Sequence, residues 1–482
     1  MNRILRFAFG CLLGFAGLLG PAWAGDTGET TPKARTGSPW STERRLTSGP
    51  GAKQTTYNFA RNVAAGLGGQ VHAVWFDDRS GMSQVYTKRS LDGGVTWQPD
   101  VRLSPGGVAS EHPSIACSGR HVYVAWHDLL PEGPVVALRR SLDGGKTWGP
   151  EFRLGAGAMP AIAASGARVR VVWSDRREGQ AEVYSRGSAD FAATWDEEER
   201  ISEVPYESWV PTVELAGEHA LIGWVDYADG NEEEYLRRSD DAGATWEPRQ
   251  RLTDDPADSW APSLAIAGKT VHVTWFDRRD AGVTDLDVET KLDEALTLVG
   301  QTPPPPPPRD PRDYYLPGFM ARVKAKMDAI QSAATAWVQG GGDPARLDAL
   351  LHQFQDLMTT WTFSWEIYYK RSTDGGATWG PDVRLTHAPG VSLRPSIAVS
   401  GREIEIVWCD GRDGSAQVYG KHSADGGATW DPDERLTFAP GNPVGDTMHP
   451  SIAAGGKAFY VVWMDYRSGN PEIYFKRRAL IP

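Results

Sequence analysis

Four side chains able to hold an anion or move a proton recur at one place in a repeated pattern: Arg61, His112, Arg394 and His449. Each is read as the residue directly before the proline position of segments such as Pro113-Ser114-Ile115-Ala116. Elsewhere the same place holds Met159, Val210 and Ala261. An Arg clamps a carboxylate or sulfate through two parallel hydrogen bonds. A His exchanges protons near neutrality. Trp209 and Trp260 stand one residue earlier in their segments, and an indole offers a flat apolar face to a sugar ring. Glu111 precedes His112, and Tyr57 and Asp446 fall in neighbouring loops. These types and places predict a cationic arc opposite an aromatic side, suited to an acidic glycan.

The pattern that places these residues is internal repetition. Trp-x-Asp closes an apolar run seven times, at Trp75, Trp126, Trp173, Trp224, Trp275, Trp408 and Trp463. A second element, Ser-x-Asp-x-Gly-x-Thr-Trp, runs from Ser90 to Trp97 and recurs from Ser141, Ser239, Ser372 and Ser423, with a degenerate copy from Ser188 carrying Ala192 in place of Gly. An Arg-Leu or Arg-Ile pair follows each copy, as at Arg102-Leu103. Each unit reads as four short strands, which signals an all-β fold. Stacked radially, such units bury both faces and protect their edges. The seventh unit stops after its third strand, while Arg45-Leu46 lies ahead of the first. The expectation is an all-β, seven-bladed β-propeller closed by the N-terminal strand, with a helical insertion in blade five.

Ser90, Asp92, Gly94, Thr96 and Trp97 match the Asp-box turn residue by residue. The chain thereby resembles the sialidase-like (BNR/Asp-box repeat) β-propeller superfamily. The motif marks the fold more than the function, because its Asp, Ser and Thr satisfy local backbone donors while Gly permits the turn. Sialidases usually have six blades, whereas some polysaccharide lyases, ulvan lyases among them, have seven. Sialidase chemistry would need three Arg around a carboxylate, an acidic proton donor and a Tyr activated by Glu; Arg61, Arg394, Tyr57 and Glu111 are the residues available. Lyase chemistry on a uronate would use Arg394 or Arg61 to neutralise the carboxylate, His112 or His449 as base and Tyr57 as acid. The sequence reading is an exported propeller that serves as a non-catalytic glycan- or protein-binding scaffold. The alternatives are an exo-sialidase-like glycoside hydrolase and a polysaccharide lyase.

The remaining features set the context. Arg3 and Arg6, the apolar run from Phe7 to Leu19 and Ala22-Trp23-Ala24 predict a signal peptide over 1–24 and a secreted or periplasmic protein. A flexible segment over 25–42 and the propeller over 43–482 follow, with the insertion at 283–364. Val288, Leu292, Leu296 and Val299 are spaced for a short helix; Met320, Val323, Met327, Ile330 and Trp337 form a second apolar face, and Leu347, Leu350, Leu351, Phe354, Leu357 and Met358 a third. The prolines at 303–308 predict a stiff spacer. With 62 acidic and 50 basic residues and a net charge of -12, no basic stripe fits nucleic acid. After cleavage only Cys117 and Cys409 remain, in distant repeats that disfavour a disulfide. No cofactor or metal is assigned, although acidic turns leave calcium open. The expected partner is an acidic glycan or an extracytoplasmic protein, with no membrane span left.

Overall fold

The computed structural model describes residues 38–480 except 58, 204–206, 229–230, 256, 283–284, 304–315, 364 and 439–447. The expected signal peptide, most of the N-terminal segment, the proline run from 304 onward and Asp446 lie outside the described residues. Seven antiparallel sheets follow in chain order, each running from an inner strand outward. The second sheet, for example, comprises Ala109–Ser118, His121–Leu130, Gly133–Ser141 and Phe152–Ala156. Together they make a seven-bladed β-propeller.

The expected closure by the N-terminal strand is corrected. Among the described residues every sheet is open, and none is closed on itself by hydrogen bonds. Arg44–Arg45 is an outer strand of the seventh sheet, pairing Arg44 with Phe475 and Arg45 with Tyr474. A two-residue edge strand widens one blade without joining the sheets into a continuous surface. Neighbouring blades meet through side chains instead. The seven repeat tryptophans are fully buried, and Trp75 packs among Tyr460, Val462 and Phe475 of the preceding blade. Single hydrogen bonds supplement this packing, such as Ile162 N to Ser114 Oγ at 3.2 Å and Asn62 N to Ser451 Oγ at 2.9 Å.

Repeated polar residues build the frame. Ser90 Oγ donates to Asp92 and accepts from Gly94 N at 2.8 Å, while Asp92 accepts from Thr96 N at 2.8 Å. The degenerate turn keeps the same bonds with Ala192 at φ 62°, so blade three tolerates left-handed strain that Gly would avoid. Asp77 accepts from Arg79 N at 2.8 Å, and the Arg79 guanidinium lies 4.3 Å from the Tyr86 ring centre. Equivalent pairs at Asp277-Arg279, Asp410-Arg412 and Asp465-Arg467 repeat this arrangement. These Asp and Arg residues are therefore engaged in turns and stacks.

Helices Asp285–Leu298, Leu316–Gln339 and Pro344–Phe363 lie between the second and third strands of the fifth sheet. Val288, Leu292, Leu296, Val323, Met327 and Leu351 share one core, which is why the apolar faces turn inward. Asp343 caps the third helix, accepting from Ala345 N at 2.9 Å. Among the described residues no helix is long and apolar enough to cross a membrane.

Candidate functional site

A β-bulge interrupts the inner strand of blades two to six. At its apex, directly before the proline, His112, Met159, Val210, Ala261 and Arg394 adopt φ between 51° and 65°. Left-handed backbone costs a non-glycine residue about 1–3 kcal/mol, and bulges commonly re-aim side chains. Here the repeated bulge takes one residue per blade out of the inner-strand ladder.

Blade one departs from this register. Val63 pairs with Ala73 as Ile115 pairs with Val124, so Arg61 occupies the proline position itself and Ala60 the preceding one. The sequence reading placed Arg61 one residue too early, because blade one has no proline to anchor the alignment. The Arg61 side chain enters the central channel. Its Nη2 lies 2.5 Å from Glu214 Oε1 and donates to the Leu264 carbonyl at 3.1 Å. Burial pushes the Glu214 carboxyl up, and the adjacent Arg61 opposes that rise.

Tyr57, His112 and His449 come together. The Tyr57 ring centre is 4.7 Å from His449 and 5.2 Å from His112. His127, which the sequence reading missed, stacks on His112 at 5.3 Å. Tyr57 N donates to His112 Nδ1 at 3.2 Å, and Met159 N donates to His127 Nδ1 at 3.3 Å. Both imidazoles accept at Nδ1 and hold their proton at Nε2. Burial pushes His112 down to about 4; burial and then neighbouring His112 push His127 down to about 3. Burial, then Arg394 and His112, holds His449 well below the usual imidazole range. Burial therefore favours the neutral form of all three imidazoles, and His449 lies beside Arg394 in the cationic arc expected from the sequence. Tyr57 remains accessible and donates to Gln54 Oε1 at 2.7 Å.

The imidazole burial has a pH signature. The folded value of His127 lies below its ordinary value, so its contribution is complete above about pH 6.5 and is lost as pH falls toward 3, reaching about 2 kcal/mol by pH 5. His127→Phe should lose less stability than the parent between pH 8 and pH 5, read from denaturant midpoints at both pH values. Equal losses would show that His127 does not drive the acid response.

On the other side of the ring, Trp209 and Trp260 are half-buried and meet edge to face at 4.9 Å. The Trp260 indole N–H donates to Glu232. Phe276 lies 6.2 Å from Trp260 and 5.1 Å from Trp365, and the Arg278 guanidinium sits 5.3 Å from the Trp365 ring centre. Glu234 lies fully buried on the same strand as Glu233, and among the described residues neither of its carboxyl oxygens has a hydrogen-bond partner. Burial, then Glu233, Glu232 and Asp277, pushes its carboxyl well above the ordinary range. Glu232, Glu234 and Glu214 were missed by the sequence reading, although Glu214 and Glu234 each break a repeat column.

A channel cavity of about 160 Å³ is lined from all seven inner strands, including Arg61, Ala116, Ala163, Glu214, Ala265 and Ala398. A larger hollow of about 380 Å³ lies beside Asp280, Glu366, Arg384 and His387. There Arg384 donates to Glu366 at 2.6 Å, a bond that recurs between Arg251 and Glu233 at 2.7 Å and belongs to the blade frame. Among the described residues Cys117 and Cys409 form no disulfide, and burial pushes the Cys117 thiol up to about 12. Among the described residues no group of three or more His, Cys, Asp or Glu is placed to hold a metal ion.

No protein-family model matches the chain, and no curated protein matches it. Solved structures do. A phage phi92 endosialidase is 10% identical, with 92% of this chain and 69% of that chain covered and a TM-score of 0.46. A Trypanosoma rangeli sialidase in complex with the inhibitor DANA is 10% identical, with 89% of this chain covered and a TM-score of 0.42; the alignment spans 55% of its length. A Penicillium chrysogenum α-L-arabinanase complexed with arabinobiose is 12% identical, with 74% and 90% covered and a TM-score of 0.40. At 10–12% identity these are similarities of structure alone, and the site is argued from this chain's own residues.

Proposed function

We propose that this protein is an exported propeller whose loop end binds carbohydrate. The observation that carries the reading is the pair of half-buried indoles, Trp209 and Trp260, held edge to face at the rim. The Glu232 acceptor fixes the second indole, so a sugar face meets a prepared apolar surface rather than a mobile one. Arg394 and the accessible Tyr57 supply polar contacts across the mouth. The charged and apolar segments before Gly25 support export. Trp209→Ala or Trp260→Ala should weaken oligosaccharide binding by about tenfold, a change of about 1.4 kcal/mol. Isothermal titration against a glycan panel tests this, and unchanged affinity in both variants would remove the stacking surface from the argument.

A second reading, hydrolysis of a glycosidic bond at the same mouth, is favoured by Tyr57. A tyrosine can serve as nucleophile at an anomeric carbon, and here the phenol is accessible between two imidazoles. Mass spectrometry of the same panel separates the readings. Products heavier by one water establish hydrolysis, an unsaturated end establishes elimination, and intact glycans retained by the protein establish binding alone.

A further inference from the structure

Two residues break the inner-strand repeat, and they contact each other. Proline opens this segment in six blades, and Arg61 replaces it in blade one. Three residues later the column reads Ala64, Ala116, Ala163, Ala265, Ala398 and Ala453, with Glu214 as its one departure. The seven repeats act as one another's control: the fold is built without either charge in the remaining copies. Yet Arg61 reaches across the channel to Glu214 at 2.5 Å. Buried ion pairs rarely stabilise more than the apolar residues that could replace them. A purely structural strut therefore explains the pair poorly.

The pair also leaves atoms for a ligand. Only Nη2 of Arg61 has protein partners among the described residues, on Glu214 and the Leu264 carbonyl. Nε and Nη1 keep three N–H donors, and the second oxygen of Glu214 remains an acceptor. The Arg61 side chain is 30% exposed and that of Glu214 11%, so both edges reach the cavity. Guanidinium donors beside a carboxylate acceptor match neighbouring hydroxyl groups, which accept from the guanidinium and donate to the carboxylate. Charge narrows the choice further. Glu214 already neutralises Arg61, so an anionic ligand would add an uncompensated charge between alanine walls, whereas a hydroxylated one adds none. At about 160 Å³ the cavity is smaller than the roughly 300–1,000 Å³ of sites that enclose whole drug-sized ligands. It suits a chain end rather than a chain.

We propose that the channel cavity recognises the neutral, hydroxyl-bearing terminal residue of a glycan, with Arg61 donating to adjacent hydroxyls and Glu214 accepting from them. This rests on the carbohydrate reading above and adds to it the end and the charge of the ligand.

The test uses the full mature chain and a matched probe pair, methyl β-D-glucopyranoside and its 6-carboxylate, measured by saturation-transfer NMR and titration. The neutral glycoside should bind more tightly. The double variant R61A/E214A should weaken it at least tenfold while leaving Trp209-dependent oligosaccharide binding in place. Glu214→Gln keeps the side-chain shape but frees the charge of Arg61. It should weaken the neutral probe and strengthen the carboxylate, and this reversal does not depend on how well the double variant folds. Tighter binding of the carboxylate to the parent protein, or unchanged neutral affinity in both variants, would overturn the proposal. If oligosaccharides still bind through Trp209, only this inference falls; if no glycan of the panel binds the folded parent, the carbohydrate reading falls with it.

Discussion

Arg61→Ala and Glu214→Ala should each destabilise the propeller, and the double variant should return to within about 1 kcal/mol of the parent. The reason lies in what each deletion leaves behind. Without Arg61, Glu214 sits 9% exposed among alanines with no compensating charge. It must then either bury a charge or take up a proton, at a cost of about 2–3 kcal/mol once partial solvent access is allowed for. Without Glu214, Arg61 is 30% exposed and regains water, so the loss should be smaller, about 1–2 kcal/mol. The double variant puts alanine in blade four where the other blades already carry it, and removes both charges together. Denaturant midpoints for the four proteins of the cycle give the coupling, expected at about 3 kcal/mol and no less than about 2. Additive single losses would mean that the pair is not the unit described here. A small coupling would also weaken the case for a fixed guanidinium edge, because an arginine that gains nothing from its carboxylate is not held by it.

The frame was legible because it is written seven times. The Trp-x-Asp and Asp-turn residues recur, and each copy repeats one circuit of bonds, as in Asp77 with Arg79 and Asp465 with Arg467. A repeat of this kind reports local geometry directly. It does not report how the sheets join, and the open edge strand Arg44–Arg45 overturned the expected closure for that reason. The site was legible only where it follows the repeat. Trp209 and Trp260 stand at equivalent bulges, and their pairing across blades follows from that equivalence. Arg61 was misplaced by one residue because the proline that defines the column is the residue it replaces. His112 and His449 were found, but their neutrality was not, since burial depends on Thr56, Tyr57 and Phe76 from another blade. Glu214 and Glu234 carry a sequence signal that a scan of one column overlooks. Each is a charged residue in a column that is otherwise Ala, or otherwise Val and Ile.

Glu234→Ile should stabilise the protein, by about 2–4 kcal/mol at pH 7. The equivalent positions are Val85, Val136, Val183, Ile367, Val418 and Ile473, all fully buried, so the slot is already shaped for a branched apolar side chain. In blade four it holds a carboxyl without a hydrogen-bond partner among the described residues, facing Glu232, Glu233 and Asp277. The pH dependence gives a second, independent readout. The native carboxyl titrates well above its ordinary value, so the folded parent holds a proton that the unfolded chain releases from about pH 4.5 upward. The parent therefore loses stability as pH rises through that window, while the isoleucine variant has no such slope. Its advantage should grow from pH 4.5 upward and level off once the native carboxyl has ionised. Thermal and denaturant unfolding at pH 5, 7 and 9 would check this, and a constant or negative difference would show that Glu234 is solvated or paired in solution. If the variant gains stability yet loses glycan binding, the carboxyl behind Trp260 and Glu232 serves the ligand rather than the fold.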